Sequence, residues 1–108
     1  MAPIVKVIQP AGILDGTQVN HLRQEINQAV TANTDIVLID LENVTFMDSS
    51  GLGALVIALK TVRTAGGKLF LCAINDQVKM LFQLTSMDRV FEIFPSRDEF
   101  NQTVLSLN

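Results

Sequence analysis

Ile36-Val37-Leu38-Ile39 is an unbroken apolar run dominated by β-branched residues. A strand with one face in water alternates apolar and polar side chains; a strand covered on both faces does not. The run therefore predicts a central strand with other layers packed on it, and the neighbouring segments can be assigned outward from there. Toward the N-terminus, Val19, Leu22, Ile26, Ala29 and Val30 recur at helical spacing until about Thr31, and Asp15 with Gln18 reads as a capping box at the helix start. Ile4 to Ile8 reads as a strand, and Gln9-Pro10-Ala11-Gly12 turns it into a second short strand at Ile13-Leu14, so that a hairpin opens the chain.

Toward the C-terminus, Val44-Thr45-Phe46 leads into Met47-Asp48-Ser49-Ser50-Gly51 and a helical stretch from Leu52 to about Thr64, stopped by Gly66-Gly67. This helix is apolar on two sides. Leu52, Leu55, Val56, Leu59 and Val62 form one face, while Ala54, Ile57 and Ala58 keep the other apolar, more than contact with water requires. Lys68 to Cys72 is a further strand. Asn75 or Asp76 can cap a helix that carries Val78, Leu81 and Phe82 inward; Val90 to Phe94 gives a last strand; Ser96 with Glu99 caps a closing helix through Phe100, Val104 and Leu107. The order ββαβαβαβα implies an α/β sandwich with at least part of its sheet parallel.

A chain of 108 residues, 48% hydrophobic and 18% charged, fits one domain spanning residues 1–108 with a continuous core. The net charge of −3 comes from eleven acids against eight bases, and the bases are scattered, which leaves no electrostatic footprint for nucleic acid. Cys72 is the single cysteine, and Met1 to Gln9 carries neither a basic segment nor a long apolar stretch; a cytoplasmic protein is the expectation. No apolar run approaches the roughly 20 residues needed to span a bilayer, so membrane insertion is not expected.

Several chemistries fail on their residue requirements. One histidine, His21, and one thiol do not make a zinc ligand set. The nucleophile elbow Gly-x-Ser-x-Gly fails because Met47 stands at its first glycine. Gly66-Gly67-Lys68 resembles the end of a phosphate loop, yet Val62 replaces the first glycine and Leu69 the magnesium-binding hydroxyl. Gly51-Leu52-Gly53 has Val56 where a dinucleotide fingerprint needs its third glycine. What remains is Asp48-Ser49-Ser50-Gly51-Leu52-Gly53 at a strand-to-helix junction. Asp and Ser are ordinary N-caps, and a glycine there can serve close packing. Equally, a seryl hydroxyl at a helix N-terminus sits where free N–H groups and the helix dipole favour a phosphate. The residues alone leave both readings open.

The stretch from Asn43 through Asp48-Ser49-Ser50-Gly51-Leu52-Gly53 resembles the signature of STAS-domain anti-sigma factor antagonists, and the likeness continues through Gly66-Gly67-Lys68 and Val78-Lys79-Met80-Leu81-Phe82 to Met87. The resemblance implies an α/β fold, a small mixed sheet with helices packed on it. It also implies a binding module without enzymatic activity or a cofactor of its own. In its unphosphorylated form such a module holds an anti-sigma factor that is also a serine kinase, and thereby frees a sigma factor, in bacterial transcription regulation and stress response. Ser49 would be the phosphorylated residue, with a serine phosphatase reversing the modification; ATP and magnesium belong to the kinase. Asp15, Asp48, Ser49, Ser50, Gly51 and Leu52 would form the partner-binding surface. Gly12 and Asp15 match a second family segment, Gly-Glu-Leu-Asp, in which Ile13 replaces the acid. The resemblance also covers related STAS proteins that serve stress-sensing complexes or lipid transporters, and the intact Ser49 argues against those roles.

Overall fold

The computed structural model describes residues 2–105. The central strand, β3 (Ile36–Asp40), lies between β1 (Val5–Ile8) and β5 (Lys68–Cys72), with the two-residue β6 (Ile93–Phe94) outside β5. All three pairings are parallel. The pattern of the central run explains why it is buried on both faces. Val37 and Ile39 join Ile8, Leu69 and Leu71 in the larger core, while Ile36 and Leu38 join Phe70 and Cys72 in a second core across the sheet.

Three helices cover the first face: α1 (Val19–Thr31), α2 (Ser49–Thr64) and α3 (Asp76–Leu84) contribute Leu22, Ile26, Leu55, Leu59, Val78 and Phe82 to one core. The strands follow chain order across the sheet, as successive crossovers of one hand produce. The other face is covered thinly, by α4 (Arg97–Phe100) and the π-turn Asn101–Leu105. Phe100 there meets Phe70 and Phe94 at ring-centroid distances of 5.5 and 5.7 Å, in tilted and edge-on geometries that suit aromatic quadrupoles.

The α/β fold with helices packed on a small sheet is as the sequence implied, but among the described residues every strand pairing is parallel rather than mixed, and several local expectations change. The opening hairpin does not form. β2 (Gly12–Leu14) pairs instead with β4 (Val44–Met47), in parallel, as a separate two-stranded ribbon. Gly12, at φ +77°, bends the chain without reversing it, and its N–H donates to the Asn43 carbonyl, which ties the bend to the matching bend after β3. β4 was also missing from the expected element order. The Asp15–Gln18 capping box is absent too: the Asp15 carboxylate accepts from the N–H and hydroxyl of Thr17, and Gln18, the residue before α1, makes no side-chain cap.

The expected strand Val90–Phe94 shrinks to Ile93–Phe94, because Met87–Arg89 forms a 3₁₀ turn and Phe91 plugs the core against Phe82, with ring centroids 5.6 Å apart. The closing helix begins as expected, with Ser96 Oγ accepting from the Glu99 N–H, and Phe100 buried; Leu107 lies outside the described residues. Asn75, rather than Asp76, caps α3.

One buried charge fastens the thin layer. Asp40, 1% exposed at the end of β3, accepts from Arg97 Nε at 3.1 Å and Nη2 at 2.9 Å, from the Glu42 N–H at 3.0 Å, and from Gln9 at 3.4 Å. The same burial, helped by the Asp40 charge, pushes the neighbouring Cys72 thiol up to about 12. Removing the guanidinium would leave a buried carboxylate with only Gln9 and the Glu42 amide to answer it. Arg97→Leu is therefore expected to lower stability by about 2–3 kcal/mol, below the cost for a fully enclosed pair because Arg97 is partly solvated. Urea unfolding checks it, and a midpoint equal to wild type would show that Gln9 and the Glu42 amide suffice for Asp40.

Candidate functional site

The site is assembled where the β2–β4 ribbon ends and α2 begins. β4 runs to Met47, Asp48 takes an extended conformation (φ −105°, ψ −177°), and its Oδ1 accepts from the Gly51 N–H at 2.9 Å. The Asp48 carbonyl accepts from the Leu52 N–H at 3.0 Å. With Asp48 as N-cap, Ser49 occupies the first helical position, so α2 starts three residues before the expected Leu52. Ser49 and Ser50 are exposed, and among the described residues no acceptor in the fold takes their N–H groups. An exposed hydroxyl thus sits at the positive end of a 16-residue helix dipole.

Gly51 fixes the ribbon against the helix. A Cβ at this position would lie 2.1 Å from the Leu14 carbonyl oxygen, so only glycine lets the first turn of α2 reach the end of β2. The loop after β2 follows this contact: a Cβ on Gly16 would stand 4.0 Å from that of Ser50. The approach brings the Asp15 loop beside the Ser49 turn, although 34 residues separate Asp15 from Ser49. Asp15 is held ionised below the usual carboxylate range by its hydrogen bonds from the Thr17 side chain and backbone.

Of the six residues singled out in sequence, the structure exposes Ser49 and Ser50, half-buries Asp15 and Asp48, and buries Gly51 and Leu52. The last two shape the site from beneath. The second apolar side of α2 is also accounted for differently. Ala54 (7% exposed) and Ala58 (3%) pack toward α1, leaving an apolar cleft of about 90 Å³ bordered by Val19, Leu22 and Ile26, whereas Ile57 alone stays exposed. Small residues at this helix pair allow close packing; their spacing looked outward-facing because nothing in the sequence placed α1 opposite them.

Sequence reasoning missed the other border of the site. Gln77, in the first turn of α3, accepts from the Met47 N–H at 2.9 Å and donates to the Met47 carbonyl at 2.8 Å. Asn75 Nδ2 donates to the carbonyls of Val44 and Thr45, at 3.2 Å each, while its Oδ1 caps α3. Two side-chain amides stand where a neighbouring strand would otherwise pair with β4. On the remaining surface of the ribbon, the register partners Ile13 and Phe46 are both exposed. His21 pairs with Glu25 at 3.0 Å on α1. Among the described residues, no group of three or more His, Cys, Asp or Glu could hold a metal ion, and no helix is long and apolar enough to cross a membrane.

The STAS domain family model matches residues 2–100, and the chain belongs to that family. It is 30% identical over 91 residues to an anti-sigma-B factor antagonist of Listeria monocytogenes, covering 84% of this chain and 80% of that protein. Among solved structures, an anti-sigma factor antagonist from Mycobacterium paratuberculosis matches with a TM-score of 0.80 at 25% identity, over 94% of this chain and 86% of that one. The antagonist SpoIIAA in its unphosphorylated form matches at 0.76 with 21% identity, over 94% and 90% of the two chains. Its phosphorylated form, from Bacillus, matches at 0.70 with 20% identity, over 94% and 93%.

The two glycines of the first helical turns should respond oppositely to the same change. Gly51→Ala forces the Leu14 carbonyl aside and is expected to cost about 3 kcal/mol, an overpacking penalty at the upper end because the obstacle is backbone. Gly53→Ala meets no atom within 4 Å and should stabilise the helix by about 0.5–1 kcal/mol. Thermal melts of the two variants, one below and one above wild type, are the check.

Proposed function

We propose that the protein is a phosphorylation-switched anti-sigma factor antagonist of the cytoplasm, and that Ser49 carries the switch. The observation that carries this reading is the exposed hydroxyl at the first position of an Asp48-capped helix. Its sequence likeness to the Listeria antagonist supports it. In the unphosphorylated state, Asp15, Asp48, Ser49 and Ser50, underpinned by Gly51 and Leu52, contact an anti-sigma factor that is also a serine kinase. The exposed Ile13, Phe46 and Ile57 extend that surface with apolar area. The Ser49 oxygen attacks the γ-phosphorus of kinase-bound ATP; ADP leaves, the hydroxyl proton passes to a base of the kinase, and a serine phosphatase later restores the hydroxyl by hydrolysis.

Phosphate blocks binding by local charge, leaving the fold nearly unchanged. At pH 7 it carries about −1.5 to −2 charges, and the helix N-terminus and first-turn N–H groups accommodate it in the solvated, free protein. In a complex the same charge is pressed against the Asp48 carboxylate in an interface from which water is excluded, and repulsion there is far stronger than in water. The phosphorylated form solved for SpoIIAA is a precedent for a phosphate on this fold.

Incubation with the cognate anti-sigma factor kinase and ATP should place phosphate on Ser49, read by peptide mass spectrometry. Phosphate mainly on Ser50 or Thr45, or none from a kinase active on its own antagonist, would overturn the assignment. Ser49→Ala should bind constitutively and Ser49→Asp should lose only part of its affinity, since a carboxylate has less charge and fewer acceptor oxygens than a phosphate.

The apolar part of the surface gives a separate expectation. Phe46→Asp or Ile57→Asp should weaken binding by about tenfold, because a desolvated, unpaired charge costs on the order of 1–3 kcal/mol. Folded variants of both that still bind with wild-type affinity in titration calorimetry would move the interface elsewhere.

A further inference from the structure

We infer that Gln77 is a positioning residue for the Ser49 site: its side-chain amide clamps the Met47 backbone and thereby sets the direction in which α2 presents the Ser49 hydroxyl. The inference rests on Ser49 being the modified residue.

The geometry is that of a strand edge completed by a side chain. The backbone of a residue offers one N–H and one C=O, in the two peptide groups on either side of its Cα, and Gln77 satisfies both on Met47, at 2.9 and 2.8 Å, with a single primary amide. A neighbouring strand would do the same through its backbone, but a helix with a long amide side chain leaves no open edge to extend. The contact spans 30 residues of chain, so it couples two elements rather than closing a local turn.

Its position gives it leverage over the site. The Met47–Asp48 peptide plane is held at its oxygen by Gln77 and on its nitrogen side by the Leu14 carbonyl, at 3.4 Å. With that plane fixed, Asp48 reaches the extended conformation from which its Oδ1 meets the Gly51 N–H, and the first helical turn follows. Ser49 is exposed, so no side-chain packing aims it; only the backbone entering α2 can do so. Loss of the clamp leaves β4 paired with β2 and leaves Met47 wholly buried, but frees the peptide that directs the turn.

A thiol probe tests this without any kinase. In Ser49→Cys the new thiol lies at a helix N-terminus, where a thiolate is favoured, while Cys72 is buried and pushed up to about 12, hence silent. The rate of alkylation by iodoacetamide is measured against pH in Ser49→Cys and in Ser49→Cys with Gln77→Leu. Asp15, Asp48 and Asp76, the carboxylates of the elements that border the site, are the same in both proteins. Loosening the turn should move the pH profile of the introduced thiol toward the ordinary range near 8.5 and slow alkylation at pH 7 about fivefold. Gln77→Met, close to Gln in length and uncharged but without the donor to the Met47 carbonyl, should shift the profile in the same direction and covers the case in which Gln77→Leu does not fold.

Superimposable profiles in folded proteins would overturn the inference. A lower melting temperature with an unchanged profile would make Gln77 a fastener of α3 only, which also overturns it. If no kinase modifies Ser49, the proposed function fails while the alkylation profiles still judge the clamp. If Ser49 is modified, Gln77→Leu should lower kcat for phosphorylation more than it raises KM, because orientation of the hydroxyl matters most in the transition state.

Discussion

The carbonyl oxygen of Leu14 occupies the place that a side chain at position 51 would need, and most of the molecule's useful geometry depends on that intrusion. It lets the first turn of α2 rest on the end of β2 and brings the Asp15 loop beside Ser49. The same close approach lets Leu14 and Met47, register partners on the ribbon, both bury completely beneath the helix. A methyl group there would separate ribbon and helix and with them the two halves of the site. Asp48 then completes the arrangement by capping the turn that Gly51 admits. One residue without a side chain and one with a short carboxylate thus convert a strand end directly into a helix start.

The larger elements were legible because burial writes directly into composition. Ile36 to Ile39 named its own place at the sheet centre, and Leu22, Ile26, Val78 and Phe82 faced inward at the spacing their helices require. Ser96 and Asn75 announced helix starts because a cap needs one local side chain and no knowledge of the rest of the fold. Where the sequence misled, a distant partner decided the outcome. Asn43 and β4, rather than the adjacent strand, took the hydrogen-bonding edge of β2. Phe91 preferred a ring contact with Phe82 to an extended ladder. Ala54 and Ala58 were covered by α1, from much earlier in the chain, a fact no local spacing encodes.

Within the candidate site the division is similar. Asp48, Ser49, Ser50 and Gly51 form a contiguous motif, so their joint placement could be read in one pass. The nearness of Asp15 came from the family resemblance and has its physical explanation in the Gly51 contact. Gln77 and Asn75 carried no sequence signal beyond the cap role of Asn75, because an amide that satisfies a backbone 30 residues away looks like any surface amide until the chain is folded.

The strand order β1-β3-β5-β6 has an implication for what kind of molecule this can be. In α/β sheets that reverse direction midway, neighbouring connections part to opposite faces and leave a crevice at the strand ends, where small ligands settle. Here the order never reverses and α1, α2 and α3 share one face, so the connections leave in one direction and no such parting arises. The serine is displayed instead on the exposed tip of α2, where the helix meets the ribbon. Display at an exposed helix tip suits a residue that another protein must reach. In the encounter proposed above, the present chain is the shape that is read, and its counterpart supplies the surface that reads it.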